Sequence, residues 1–219
     1  MLDDPAGPLR AASREVRISA IEIAGSLILP PAPRALVVFA QGSTSSRFNT
    51  WAGELASRLA ERGLATLLVD LLLWEEERDR TNVFDIRLLS DRLMASTRWA
   101  HTQPDLAALS VGYLGTGTGA AAALYAAAKL GPAVAATVSV DGRPDLADPV
   151  LPEVQSPALL IVGSQDHLAL ELHQEVSRRL AGPSTVAPVP GAKHLFEDTG
   201  TLDAVARLAS DWFTRYLDP

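Results

Sequence analysis

The 219-residue sequence contains no cysteine, so disulfides, thiolate catalysis and cysteine-based zinc or iron–sulfur sites are excluded. It also lacks a clustered basic face. The formal net charge is −7 and the isoelectric point about 5.1, with charges that alternate in sign along the helical stretches. No nucleic-acid partner is expected. The apolar stretches are strand-sized or interrupted, too short to cross a bilayer, so no membrane association is expected. The opening MLDDPAGPLRAASREV carries two acids near its start and no apolar core, unlike a secretion signal, and a cytoplasmic location is expected. There is no internal repeat, and the 15 glycines and 15 prolines are scattered rather than gathered in a low-complexity tract. No group of His, Asp and Glu has metal-ligand spacing, and neither a metal nor a cofactor is expected.

What is present suits a folded domain. With 47% hydrophobic and 21% charged residues, the chain can build one core, and the expected unit is a single domain over residues 1–219 with 1–14 as a flexible segment. Apolar runs at Ala35–Ala40, Ala65–Asp70, Val111–Gly115, Ala136–Val140 and Ala158–Gly163 read as strands buried on both faces. Between them Trp51–Arg62, Asp85–His101, Thr118–Leu130 and Leu168–Leu180 have the length of crossover helices. Val16–Ser19 and Glu22–Leu29 read as an antiparallel pair at one edge, and Ser184–Val189 with a helix over Thr201–Leu217 closes the chain. The pattern predicts a three-layer α/β/α sandwich with a mostly parallel, doubly wound sheet and no large lid. Open sheets of this kind hold ligands at the carboxyl ends of their strands. Those ends here are Gln41–Arg47, Asp70 onward, Gly115–Gly119, Asp141–Arg143, Ser164–His167 and Gly191–His194.

Two features at these ends carry chemistry. The run Gly115-Thr116-Gly117-Thr118-Gly119 follows a strand and opens an alanine-rich helix, the layout of a G-x-S-x-G nucleophile elbow with Gly117 at the central position. Downstream, Asp166 and His194 follow the next-to-last and last strands, in the elbow–acid–histidine order of a catalytic triad. An aspartate bonded to one imidazole nitrogen fixes the tautomer and supports the charge when the other nitrogen takes a proton. Taken singly, Asp166 is equally a helix cap and His194 a surface loop residue. The same glycines fit the dinucleotide fingerprint G-x-G-x-x-A, with Asp141 about twenty residues on, so an NAD(P)-binding reading stays open.

The segments FAQGSTSSR, GYLGTGTGAAAAL, GRPDLA, LLIVGSQD and VPGAKHLFED together resemble the small, lidless, dienelactone-hydrolase-like branch of the α/β hydrolases, from about Ala35 to the last helix. The resemblance implies an α/β-hydrolase fold, with Asp166 and His194 as acid and base. It places the first oxyanion donor at the backbone N–H of Thr118 and the second in the Gly42, Ser43, Thr44 loop. Two positions depart from the family pattern: Gln41 stands for a histidine and Gly117 for the serine.

Without a serine, His194 and Asp166 point to a general base for non-covalent chemistry on a small carbonyl-containing substrate: elimination, cyclisation, C–C cleavage or direct water attack. An esterase whose serine was replaced, or is substituted by a nearby hydroxyl, stays open, as does a non-catalytic binding protein. The pocket is expected above Gly117, between the Gln41–Arg47 loop and His194, with Gln41, Arg47, Trp74, Arg143 and Thr116 as substrate contacts. Arg47 and Arg143 can equally pair with an acid such as Asp141 or Asp145. Trp74–Arg80 reads as a solvated loop, in which Trp74, with nearby Phe84, can wall an apolar pocket. His167 and His173 read as helix-surface residues, and His101 as a charge at a helix C-terminus.

Overall fold

The computed structural model describes residues 11–41, 50–192, 196 and 199–217. Eight strands form one sheet: β1 (Ala12–Ile18), β2 (Ile23–Leu29), β3 (Ala35–Gln41), β4 (Leu64–Asp70), β5 (Ser110–Gly117), β6 (Ala136–Gly142), β7 (Ala158–Gly163) and β8 (Ser184–Val189). Their order is β1-β2-β4-β3-β5-β6-β7-β8. β1 pairs with β2, and β2 with β4, in antiparallel register; every other pairing is parallel. The expected antiparallel edge pair is therefore present. β1 starts at Ala12, inside the segment expected to be flexible, because its backbone pairs with β2 from Ala12↔Leu29 onward.

The helices are α1 (Thr50–Glu61), α2 (Trp74–Glu77), α3 (Arg80–Val83), α4 (Ile86–His101), α5 (Thr118–Leu130), α6 (His167–Arg179) and α7 (Thr199–Leu217). Strand periodicity sorts them onto two faces. Ala35, Val37 and Phe39 of β3 pack with Leu55 and Leu59 of α1 and Phe213 of α7. The alternate residues Leu36, Val38 and Ala40 pack with Leu89 and Leu93 of α4 and Ala122 and Ala126 of α5. All seven β3 residues are buried, which is why the run is apolar almost throughout. α1 leaves β3 on one face and α5 leaves β5 on the other, so the carboxyl ends of β3 and β5 form the switch point of the sheet.

Two segments depart from expectation. Residues 74–80 are not a plain solvated loop but contain α2 and the start of α3. Asp79 accepts from Thr81 N (2.9 Å) and Thr81 Oγ1 (2.8 Å), and Glu76 accepts from Leu73 N (2.8 Å). Arg92 of α4 then grips Glu76 through two bonds of 2.5 and 2.7 Å and donates to Leu71 O at 2.8 Å. This side-chain hydrogen bonding to Arg92 holds the Glu76 carboxyl below its ordinary range. Between β6 and β7, Pro144–Glu153 runs as 3₁₀ helix, and its Pro149 and Pro152 are residues that ordinary helix signals exclude.

Helix α5 lies unusually close to the sheet. A Cβ on Gly119 would overlap the Ala40 carbonyl, and one on Gly115 would stand 2.6 Å from Ala120 Cα. Gly119→Ala is expected to destabilise the fold by about 3 kcal/mol or more, a fall in Tm of roughly 6–12 °C at this chain length. In Gly53, inside α1, an added Cβ meets nothing within 4 Å. Gly53→Ala should therefore stabilise by about 0.5–1 kcal/mol. Thermal denaturation of the two variants checks the contrast.

Candidate active site

The site begins at the end of β5. Between Thr116 and Gly117 the register against β6 shifts, and Gly117 takes φ 55° and ψ −131° before Thr118 opens α5. Its carbonyl accepts from Arg143 N at 2.9 Å, which ties the turn to the end of β6. Gly142 is packed so tightly there that a Cβ would sit 2.6 Å from that of Ala120 and 2.7 Å from Gly117 O. Gly117 is different: a Cβ built on it meets nothing within 4 Å. Its two flanking glycines are required by packing, whereas Gly117 is required only by its positive φ and faces open space. The N-terminal end of the 13-residue α5 opens there with its positive dipole end, and Gly117 supplies no capping side chain.

That open space belongs to a cavity of about 810 Å³. Gly117, Thr118, Asp141, Arg143 and Asp166 line it from the strand ends, Glu77, Arg80, Val83 and Phe84 from the α2–α3 arm, and Leu168, Ala169 and Leu172 from α6. Among the described residues, the exposed large hydrophobics are Leu73, Trp74, Phe84 and Leu168, and two of these line this cavity.

Asp166 caps α6, accepting from Ala169 N at 3.0 Å, so the helix-cap reading holds for one of its oxygens. Its loop is laced to the segment after β8: Ser164 N donates to Val189 O (3.0 Å), Gln165 N to Ala192 O (3.0 Å), and Gly191 N to Ser164 Oγ (3.1 Å). Ala192 and Phe196 are both buried. His194 lies outside the described residues, as do Gly42, Ser43, Thr44 and Arg47.

Of the expected site residues, the structure brings Gly117, Thr118, Arg143 and Asp166 together on one cavity wall. Gln41, buried at the end of β3, Thr116 and the largely exposed Trp74 are not part of that lining; Phe84 is. Arg143 pairs with an acid: Nε and Nη2 donate to the two oxygens of Asp145 at 2.8 and 2.7 Å. Composition gave no sign of Leu168 and Leu172, which share a helix face one turn apart. Asp141, one of the expected strand-end residues, sits at the cavity wall with φ 42°, a backbone region rare outside glycine. Among the described residues no group of three His, Cys, Asp or Glu side chains could hold a metal. No described helix is long and apolar enough to cross a membrane.

Residues 23–218 match the model of the Dienelactone hydrolase family. The chain belongs to this family. It is 43% identical to a dienelactone hydrolase from Anabaena variabilis whose crystal structure superposes with a TM-score of 0.89, covering 95% of this chain and 98% of that one. Est1E from Butyrivibrio proteoclasticus shares the fold at 14% identity, with a TM-score of 0.76 over 93% of this chain and 98% of that one. A Mycobacterium tuberculosis H37Rv protein named "Putative phosphoribosyl transferase" is 51% identical over 210 residues, 96% of this chain. The chain spans about half the length of that relative (47%).

His173 corrects the helix-surface reading. It is fully buried on the inner side of α6; Nδ1 lies 2.7 Å from Ala169 O and Nε2 has no hydrogen-bond partner. Burial pushes its pKa below the ordinary 6.5, against the Ala169 hydrogen bond and the charges of Asp141, Asp145 and Asp166. A histidine that prefers to be neutral when folded binds fewer protons there than in the unfolded chain. Its contribution is therefore intact above pH 6.5 and lost as the pH falls from 6.5 through the lower folded value. His173→Leu is expected to narrow the drop in Tm between pH 7.5 and 5.5, measured by thermal denaturation across that range.

Proposed function

We propose that this chain is an enzyme of the dienelactone hydrolase family in which Gly117 occupies the nucleophile position and Asp166 with His194 acts as a general base, without a covalent intermediate. Gly117 carries the reading. It keeps a left-handed turn at the β3–β5 switch point, over open space, with Asp166 on the same cavity wall. Asp166 retains a second oxygen beyond its capping bond for the imidazole of His194, and the lacing of Ala192 to Gln165 brings the chain back beside Asp166 two residues before His194. His194 then takes a proton from substrate or water. The N-terminal end of α5, with Thr118 N–H and the Gly42–Thr44 loop, stabilises the enolate or alkoxide that forms.

The reactions this suits are elimination, cyclisation, C–C cleavage and direct water attack. The substrate is a small carbonyl compound whose apolar body lies on Phe84, Leu168 and Leu172. Phosphoribosyl transfer, the activity in the name of the mycobacterial relative, suits this cavity poorly. Among the described lining residues Glu77, Asp141 and Asp166 oppose Arg80 and Arg143, and Arg143 is already held by Asp145. A pyrophosphate would meet a net negative wall. We assign that name's chemistry to the half of the relative that this chain does not span.

Restoring the hydroxyl tests the reading. Gly117→Ser should raise p-nitrophenyl acetate hydrolysis at least about 10²-fold, with an acyl-enzyme burst. The positive φ would lower stability by about 1–3 kcal/mol. His194→Ala in the same background should return the rate to that of the unsubstituted chain. If Gly117→Ser folds and gains nothing, the base and oxyanion groups are not assembled and the reading falls.

A further inference from the structure

We infer that Arg92, which lies outside the cavity lining, is a positioning residue for substrate selectivity. It fixes the α2–α3 arm so that Val83 and Phe84 form an apolar wall for the part of the substrate remote from the carbonyl. This role rests on the reading that substrate occupies the cavity at Gly117, and it gives Arg92 no part in proton transfer.

The arm cannot hold that wall by itself. Helices α2 and α3 have four residues each, about one turn, far below the length at which a helix is stable alone. No side chain from Leu73 to Asp85 is buried. Of the apolar residues in that stretch, Val83 alone packs partly against the core, and Leu73, Trp74 and Phe84 are exposed. A segment with so few buried contacts opens locally at little cost. Yet Glu77, Arg80, Val83 and Phe84 of this arm line the cavity, together with Leu168, Ala169 and Leu172 of α6.

Arg92 supplies the missing anchor. It projects from α4 between Leu89 and Leu93, both fully buried, so its own backbone is fixed in the core. Nη1 and Nη2 donate to the two carboxylate oxygens of Glu76 at 2.5 and 2.7 Å, and Nη1 donates to Leu71 O at 2.8 Å. Glu76 passes the constraint along the arm. Its Oε2 accepts from Leu73 N at 2.8 Å, and its backbone carbonyl accepts from Asn82 Nδ2 at 2.9 Å, which ties α2 to α3 two residues before Phe84. With side chains 14% and 29% exposed, this is the most enclosed ion pair among the described residues, so salt screens it least. A planar guanidinium bonded to both oxygens fixes orientation as well as distance.

Alkyl phenyl ketones test the wall apart from catalysis, because they carry a carbonyl and an apolar body but no bond to hydrolyse. Hexanophenone has four methylenes more than acetophenone, and each gains roughly fourfold in affinity when buried. In calorimetric titrations the native chain should bind hexanophenone at least about tenfold more tightly than acetophenone. Arg92→Met, which keeps an apolar stem, should cut that preference to about threefold or less, and Glu76→Gln should do the same. A ratio of two affinities does not move with the folded fraction, so general destabilisation does not imitate this effect. Phe84→Ala should also cut the preference, and adding Arg92→Met to it should cost little more, since both remove one wall. The inference is overturned by a native chain without the preference, by a preference unchanged in either folded Arg92→Met or Glu76→Gln, or by additive losses with Phe84→Ala. Turnover does not enter these measurements: a preference that depends on Arg92 stands even where His194 proves not to be the base.

Discussion

Helix α5 presses against the sheet more closely than any side chain would permit. Gly119 touches the strand that carries Ala40, Gly115 lies under Ala120, and Gly142 fits between Ala120 and Gly117. Close packing of this kind leaves no slack, so the chain between Gly115 and Gly119 must turn within two residues and does so through the left-handed backbone of Gly117. The same contact aims the start of α5 at the carboxyl ends of β3 and β5. The position of the cavity, its positive helix end and its walls all follow from that approach.

The glycines around this turn have different physical reasons. Those at 115, 119 and 142 are demanded by neighbouring atoms; Gly117 is demanded by its dihedral angles and faces empty space. Gly117 is thus the one of these glycines where an added side chain meets no neighbour, though only in a strained conformation. In the proposed function, chemistry leaves the turn and passes to carboxylates and imidazole around it, while the backbone N–H groups keep their place.

The cavity walls combine paired charges with apolar surface. Arg143 is neutralised by Asp145, and the remaining acids make the described wall poorly suited to anions. The α2–α3 arm contributes Val83 and Phe84 because Arg92 holds Glu76 and Asp79 caps the second turn. On the buried side of α6, burial holds the pKa of His173 below its ordinary value.

Strands β7 and β8 and helix α5 were legible residue for residue, because β-branched runs and an alanine-rich segment bounded by glycines carry their own periodicity and stops. The order of strand ends was also enough to gather Gly117, Thr118, Arg143 and Asp166 in one place. The short helices at residues 74–83 and the 3₁₀ run with its internal prolines were not legible, since side-chain caps and the Arg92 clamp hold them rather than propensity. His173 was misplaced for a related reason. Local sequence specifies neither which face of α6 is buried nor a positive φ at a non-glycine residue. The sequence by itself determined the strand–helix alternation, the glycine turn and the absence of a side chain at 117. Tertiary packing alone decided that the turn opens onto a cavity, that Asp141 takes a positive φ at its wall, and that His173 is buried, because burial and backbone strain depend on neighbours distant in the chain.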